Sequence, residues 1–460
     1  MKKLIALLLA LVMVLGLVAC GAKTEEPAKT EEPAKTEEPA KTEEPAKTEE
    51  PAKTEEPAEE KEDVTIEVWI AQVDWADAWD VMEEKFEAEH PWIDVEHVGL
   101  GEDAEFLTTR IAANDLPDVI QCNNNNSMDA MVAGGMLEDL TNWECAAVMP
   151  DTYKQAFTHD GKLVGLCQGA AFSCMFYNMQ ILNEAGWTTP PTTWDELLQC
   201  CADVKEKTGV APLVTAAGKT TTSWMILELV LANTINDADK IAAYQEDFKN
   251  GTFDWTAYPE AVEKMDAIAP YFLEGSAAAL EEDAATYMTD GLAAMCLAGN
   301  WNAGILSAAI ETATGDISNC VASLPPFGDG TTTWISNSPE DAFCVTVNPD
   351  RTPAEQEAVE TFFNWVFEAE NFALIQNARG TVPVITNMTE EYIKLPECMI
   401  PVAAEMGSAP AVLMGFNLWA AEFRDAACGM IDGLLSGDND AAALFAKMAE
   451  MMPKSYKNQG

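Results

Sequence analysis

From Val64 the chain alternates as a strand does, with VTIEVWI (64–70) placing apolar side chains at every second position. The spacing then changes. Trp79, Met82 and Phe86 recur at three- and four-residue steps, Pro91 ends that stripe, and IDVEHV (93–98) returns to alternation. Strand, helix, strand over residues 64–98 predicts a βαβ unit on a parallel sheet. FLTTRIAAN (106–114) predicts a second helix, which leads through LPD into a strand at VIQC (119–122). In open α/β sheets, ligands are held where the chain leaves such strands.

Beyond residue 151 the helical stripes lengthen. WDELLQCCADVKEKTG (194–209) starts beside Thr193, a candidate N-cap with Glu196 placed for a capping box, and Gly209 closes it. SWMILELVLANTI (223–235) is apolar nearly all round. Residues 282–301 read as a helix followed by the strand AAMCLA. ISNCVASLPPF (317–327) and DAFCVTVN (341–348) predict two more strands. Residues 354–379 predict a helix broken near Asn371, and Ala420 to Met452 is helical again.

The first sixty-three residues break every one of these patterns. Lys2 and Lys3 precede an apolar run from Leu4 to Ala19, shorter than the roughly 20 residues of a spanning helix. This is the layout of a secretory signal. Leu17-Val18-Ala19-Cys20, with Gly21 next, resembles the bacterial lipobox, which implies cleavage before Cys20 and a lipid on its thiol. Six copies of KTEEPA follow. Each nets one negative charge, holds one proline and offers no large apolar group, so it cannot offset its ordering entropy by burial. Residues 1–19 are therefore expected to be a signal peptide and 20–63 a lipid-bearing cysteine with a solvated tether. Fully extended, the tether spans on the order of 130 Å. The expected location is the outer face of the cell membrane, lipid-anchored.

Charge narrows the partners. The chain carries −51, with +2 in the leader and −9 in residues 20–63, which leaves about −44 on residues 64–460. Such a balance argues against nucleic acid and anionic membrane surfaces. Of twelve cysteines, the eleven after Cys20 match no disulfide or zinc spacing and read as small buried hydrophobes. With three histidines, no Gly-x-Ser-x-Gly, no phosphate loop and no His-Glu-x-x-His, the chain shows no catalytic motif. SGDND (436–440) hints at calcium but lacks the rest of a loop. No metal or cofactor is expected.

Several stretches, in order, then carry a resemblance: LPDVIQCN (116–123), DGKLVGLCQGAAFSCMFYNMQILNEAGWTTPPTTWDELL (160–198), GLAAMCLAGNW (291–301), SLPPFG (323–328) and RGTVPV (379–384). Together they resemble family 1 of the bacterial extracellular solute-binding proteins of ABC importers, the group of maltose-binding protein. The resemblance implies an α/β fold of two lobes, class II type, joined by a multi-strand hinge. One lobe would take 64–168 plus 340–380 and the other 172–325 plus 385–460. It also implies a monomer that captures a mono- or oligosaccharide between the lobes and delivers it to permease subunits served by a separate ATPase. The alternatives are a binding protein for another solute such as a polyamine, and a surface-anchored glycan hydrolase or adhesin.

A sugar site needs aromatic faces and planar polar groups that donate and accept. The candidates are Trp301, where the resemblance places a stacking aromatic, Asp74 and Trp75 after the first strand, and Asn123 and Asn124 after VIQC. Gln168 at the expected hinge crossing, Trp224, Arg379, Trp334, Asn417 and Trp419 complete the set. Trp143 and Trp365 are expected to fill core.

Overall fold

The computed structural model describes residues 61–456, apart from 71–75, 101–103, 114, 123–125, 216–222, 276–280, 380, 383, 390, 407 and 415–418. The leader, Cys20 and the repeats lie outside the described residues. Strands in chain order are β1 (Val64–Ile70), β2 (Ile93–Leu100), β3 (Val119–Cys122), β4 (Thr158–His159), β5 (Lys162–Leu163), β6 (Leu166–Cys167) and β7 (Ala170–Asn178). Then follow β8 (Ala211–Val214), β9 (Ala293–Gly299), β10 (Cys320–Ser323), β11 (Ile335–Pro339), β12 (Ala342–Val345) and β13 (Ala411–Val412).

These form two larger sheets. The first has the order β2-β1-β3-β12-β6. β1 runs parallel to β2 from Val64 opposite Ile93, and parallel to β3 through Val68 opposite Val119. The helix Ala76–Glu89 between β1 and β2 buries Trp79, Met82 and Phe86, the residues whose spacing predicted it. The Trp79 and Phe86 rings meet Phe362 edge-on, at 5.9 and 5.0 Å between centroids. Phe362 belongs to the helix Pro353–Val366. Arg351 sits just before that helix, almost wholly buried, and its guanidinium reaches Asp118 at 2.7 Å and Glu138 at 2.8 Å. Asp118 also accepts the Glu67 N–H at 3.0 Å, so one ion network ties β1 to the start of β3.

The second sheet has the order β13-β11-β7-β9-β8, with β10 also on β7. β7 is the long strand of the molecule. One edge takes β11 beside Ala170–Phe172 and β10 beside Met175–Asn178, and the other edge takes β9. Both faces of β7 are covered, and its period of two divides them. Ala170, Phe172, Cys174 and Phe176 join the apolar cluster that includes the first sheet, while Ala171, Met175 and Tyr177 join a second cluster with the helix Ser223–Ile235. That helix buries twelve of its thirteen residues, as an all-round apolar stripe requires.

Some predicted elements are shorter than the pattern suggested. Only Cys320–Ser323 of the 317–327 run is strand, because the Asp316 carboxylate accepts the Ser318 N–H and turns residues 317–319 into a 3-10 turn. The helix over 354–379 divides into Pro353–Val366 and Ala369–Arg379. Asn371 stabilises the break by donating to the Trp365 carbonyl at 2.9 Å. SGDND is a turn between the helices Ala421–Leu435 and Ala441–Ser455, with Asp440 capping the second. The eleven cysteines Cys122 to Cys428 are buried, and none of them forms a disulfide among the described residues. Among the described residues, no helix is long and apolar enough to cross a membrane.

Candidate functional site

The two sheets are joined by strands that leave one and enter the other. β6 ends at Cys167 and β7 begins at Ala170; β11 ends at Pro339 and β12 begins at Ala342. The two connections run antiparallel, side by side. Leu166 and Cys167 pair with Phe343 and Ala342 in the first sheet, and Ala170 pairs with Pro339 in the second. Between them, Gln168 N–H donates to the Asp341 carbonyl at 2.8 Å and Glu340 N–H to the Gly169 carbonyl at 3.0 Å. A Cβ at Gly169 would stand 2.5 Å from a Glu340 carboxylate oxygen, so a larger residue there obliges that side chain to shift. Burial and the nearby Glu340 charge push the Cys167 thiol well up, and burial pushes Tyr153 up to about 12. Both groups stay neutral near pH 7, so neither supplies a nucleophile to the crossing.

Beside the start of β7, β9 delivers Trp301. Gly299 pairs with Ser173 at the strand end, and Asn300 follows. The Asn300 amide binds β7 twice, accepting the Phe172 N–H at 2.8 Å and donating to the Ala170 carbonyl at 2.9 Å. The Trp301 ring lies over Gly299, where a Cβ would come within 2.2 Å of the indole carbons, so only glycine admits this ring position. Trp301 is partly buried against the second apolar cluster. The result is an aromatic group with a defined orientation, adjacent to the crossing strands.

The other candidates fall elsewhere. Asp74, Trp75, Asn123, Asn124 and Asn417 lie outside the described residues. Arg379 is the last residue of the helix Ala369–Arg379, and its side chain is outside the description as well. Three tryptophans of the set are buried: Trp224 is 2% exposed, Trp334 7% and Trp419 5%. Trp334 is fixed by Asn236, which accepts its indole N–H at 3.1 Å, and Trp419 stacks on Phe248 at 5.5 Å. Gln168 lies at the crossing, but its side chain is fully buried and accepts from the Gln121 amide at 2.9 Å. Its side chain ties the crossing to β3 of the first sheet. Trp365 is core, donating to Glu89 at 2.7 Å, and Trp143 packs edge-on to Phe363 at 5.6 Å. Sequence reasoning missed Asn300 and Gln121. A glutamine inside the four-residue buried strand VIQC was the available signal, because a buried amide needs a partner.

A family model described as "Bacterial extracellular solute-binding protein" matches residues 82–399. The chain belongs to the bacterial extracellular solute-binding proteins. The two-lobed binding-protein fold, with its multi-strand hinge, is shared by solved structures. A chitin oligosaccharide binding protein aligns at TM-score 0.71 and 19% identity, over 86% of this chain and 99% of that one. The apo form of RafE from Streptococcus pneumoniae aligns at 0.70 and 16%, over 85% and 98%. A sugar transporter protein from Bacillus licheniformis, in complex with stachyose, aligns at 0.65 and 17%, over 85% and 100%. Binding proteins of Brucella abortus and Brucella suis are 31% identical over 125 residues, 26% of this chain. This chain spans 30% of the length of those curated relatives.

Proposed function

We propose that this solute-binding protein is the lipid-anchored capture component of an ABC importer for a mono- or oligosaccharide. The sugar would sit between a lobe of residues 64–168 plus 340–380 and a lobe of 172–325 plus 385–460. Closure follows because the closed state gains contacts the open state lacks. Permease subunits then read the closed surface, and a separate ATPase supplies the energy. Cys20, carrying lipid, and the KTEEPA tether hold this monomer at the outer face of the membrane.

The observation that carries the reading is Trp301. A partly exposed indole, oriented by Gly299 and by the two Asn300 bonds beside the hinge, suits the flat C–H face of a pyranose. Solved relatives of the same fold support it: RafE has been determined with raffinose, and the Bacillus licheniformis protein with stachyose. Calorimetric titration with raffinose, stachyose, a chitin oligosaccharide and a polyamine tests the proposal. One of the sugars is expected to saturate without product. Trp301→Ala should then weaken that sugar at least about tenfold, roughly 1.4 kcal/mol, with little change in melting temperature. Equal affinity in the two proteins removes Trp301 from the site, and binding of the polyamine alone replaces the sugar.

A further inference from the structure

We propose that Cys320 and Cys398 are a thiol pair that closes to a disulfide when the folded protein meets a small-molecule disulfide, pinning the helix Met399–Met406 to the second sheet. The inference rests on the packing of these elements and on membership of an extracellular family, and not on the identity of the solute.

The packing brings the pair together. Cys320 opens β10, which runs along β7 from Cys320 opposite Asn178 to Ser323 opposite Met175. Cys398 stands immediately before the helix Met399–Met406, and that helix lies against β10. Met399 and Val402 of the helix are buried in the same apolar cluster as both cysteines. At its other end, Met406 accepts the Asn337 amide of β11 on its sulfur at 3.9 Å. β10 and β11 share one edge of β7, so the helix spans both strands on that edge. A bond at Cys398 would fix the end of the helix that lies on β10.

The two thiols also act on each other. Cys320 is pushed well up, first by the Cys398 sulfur beside it and then by burial. Cys398 is held below the ordinary thiol value by Cys320, whereas burial pushes Cys145, Cys200, Cys201 and Cys428 up. A third thiol, Cys174 of β7, feels Cys398 as well, but burial is the larger influence on it. Cys398 is therefore the attacking thiolate and Cys320 the resolving thiol. Glu397 and Ile400 on either side of Cys398 are exposed, so a small opening admits an oxidant.

The Cys398 thiolate attacks one sulfur of the small disulfide, forming a mixed disulfide and releasing the first small thiolate. Cys320 then attacks the Cys398 sulfur, its proton passes to the departing thiolate, and the second small thiol leaves. Two protein thiols and one small disulfide become one protein disulfide and two small thiols. Outside the cell such a bond persists. Cys320 and Cys398 are seventy-eight positions apart in the chain, and closing a long loop stabilises most.

Oxidised glutathione added to the reduced, folded protein tests this, with no solute present, so the result stands apart from the sugar titrations. Mass spectrometry should show the loss of two hydrogens, and a non-reduced peptide map should join the peptides holding Cys320 and Cys398. The melting temperature should rise by several degrees and return on addition of dithiothreitol. Cys320→Ala should stop at the mixed disulfide, with one glutathione retained on Cys398; if that variant does not fold, the wild-type map decides alone. A map that joins other cysteines, glutathione retained on wild-type Cys398, or no change in mass overturns the proposal.

Discussion

Asp432 shows how a single side chain carries a pH signature. It lies in the helix Ala421–Leu435, and burial raises its carboxyl to about 6, with the Ser223 hydroxyl only partly opposing the shift. A carboxyl raised in the fold penalises the folded state when ionised. The penalty is therefore present above about pH 6 and is relieved as the pH falls toward the unfolded value near 4. A shift of about two units would correspond to roughly 3 kcal/mol. The side chain is partly solvated, however, and screening leaves about 1 kcal/mol. Asp432→Asn should accordingly raise the melting temperature by about 2 °C at pH 7.5. The gain should fade at pH 4.5, as read by scanning calorimetry at both values. An equal effect at the two pH values would mean that packing, and not charge, is responsible.

At the scale of elements, two helices with the same sequence signature differ in what the signature does. Thr352 and Glu355 form a reciprocal box, with Glu355 N–H donating to the Thr352 hydroxyl at 3.2 Å and Thr352 N–H to the Glu355 carboxylate at 2.7 Å. Thr193 caps its helix as predicted, accepting the Glu196 N–H at 3.2 Å, but the Glu196 carboxylate turns to Thr192 N–H and hydroxyl, both at 2.8 Å. Thr352→Ala therefore breaks one half of a closed pair on the helix that buries Phe362, Phe363 and Trp365, and should cost about 1 kcal/mol in urea unfolding. Thr193→Ala should cost less, because the Glu196 bonds do not pass through it. The same comparison explains what was legible in the sequence. β1, β3 and the helices Trp194–Thr208 and Ser223–Ile235 follow from periodicity and end signals, which are local. The site was less legible because a tryptophan's role depends on what covers it. Trp224 opens a helix that is apolar on every side, and that pattern already argued for core. Trp301 follows a Gly-Asn pair whose function, clearing and fixing the ring, appears only when β7 is beside it.

For the whole molecule, charge is the dominant unbalanced term. Residues 64–460 carry about −44, and many of the observed ion pairs are exposed side-chain contacts within one helix, such as Lys447 and Lys454 with Glu450. Exposed pairs of that kind contribute little. The Arg351 network is the exception, because its guanidinium is almost wholly buried and its two carboxylate partners are largely covered as well. Most of the acidic surface is thus left to repel itself, which disfavours the compact state. Salt shortens the reach of that repulsion from about 30 Å at 0.01 M to about 8 Å at physiological ionic strength. Raising sodium chloride from 10 to 300 mM should therefore raise the melting temperature by several degrees, unlike a protein held by surface ion pairs, which salt weakens. Arg351→Met should lower stability by about 2 kcal/mol at both salt levels, since it leaves the partly exposed Asp118 and Glu138 without a cation. A melting temperature that falls with salt in the wild type would show that attraction, not repulsion, governs the surface, and that the acidic shell is more fully paired than its exposed lysines suggest.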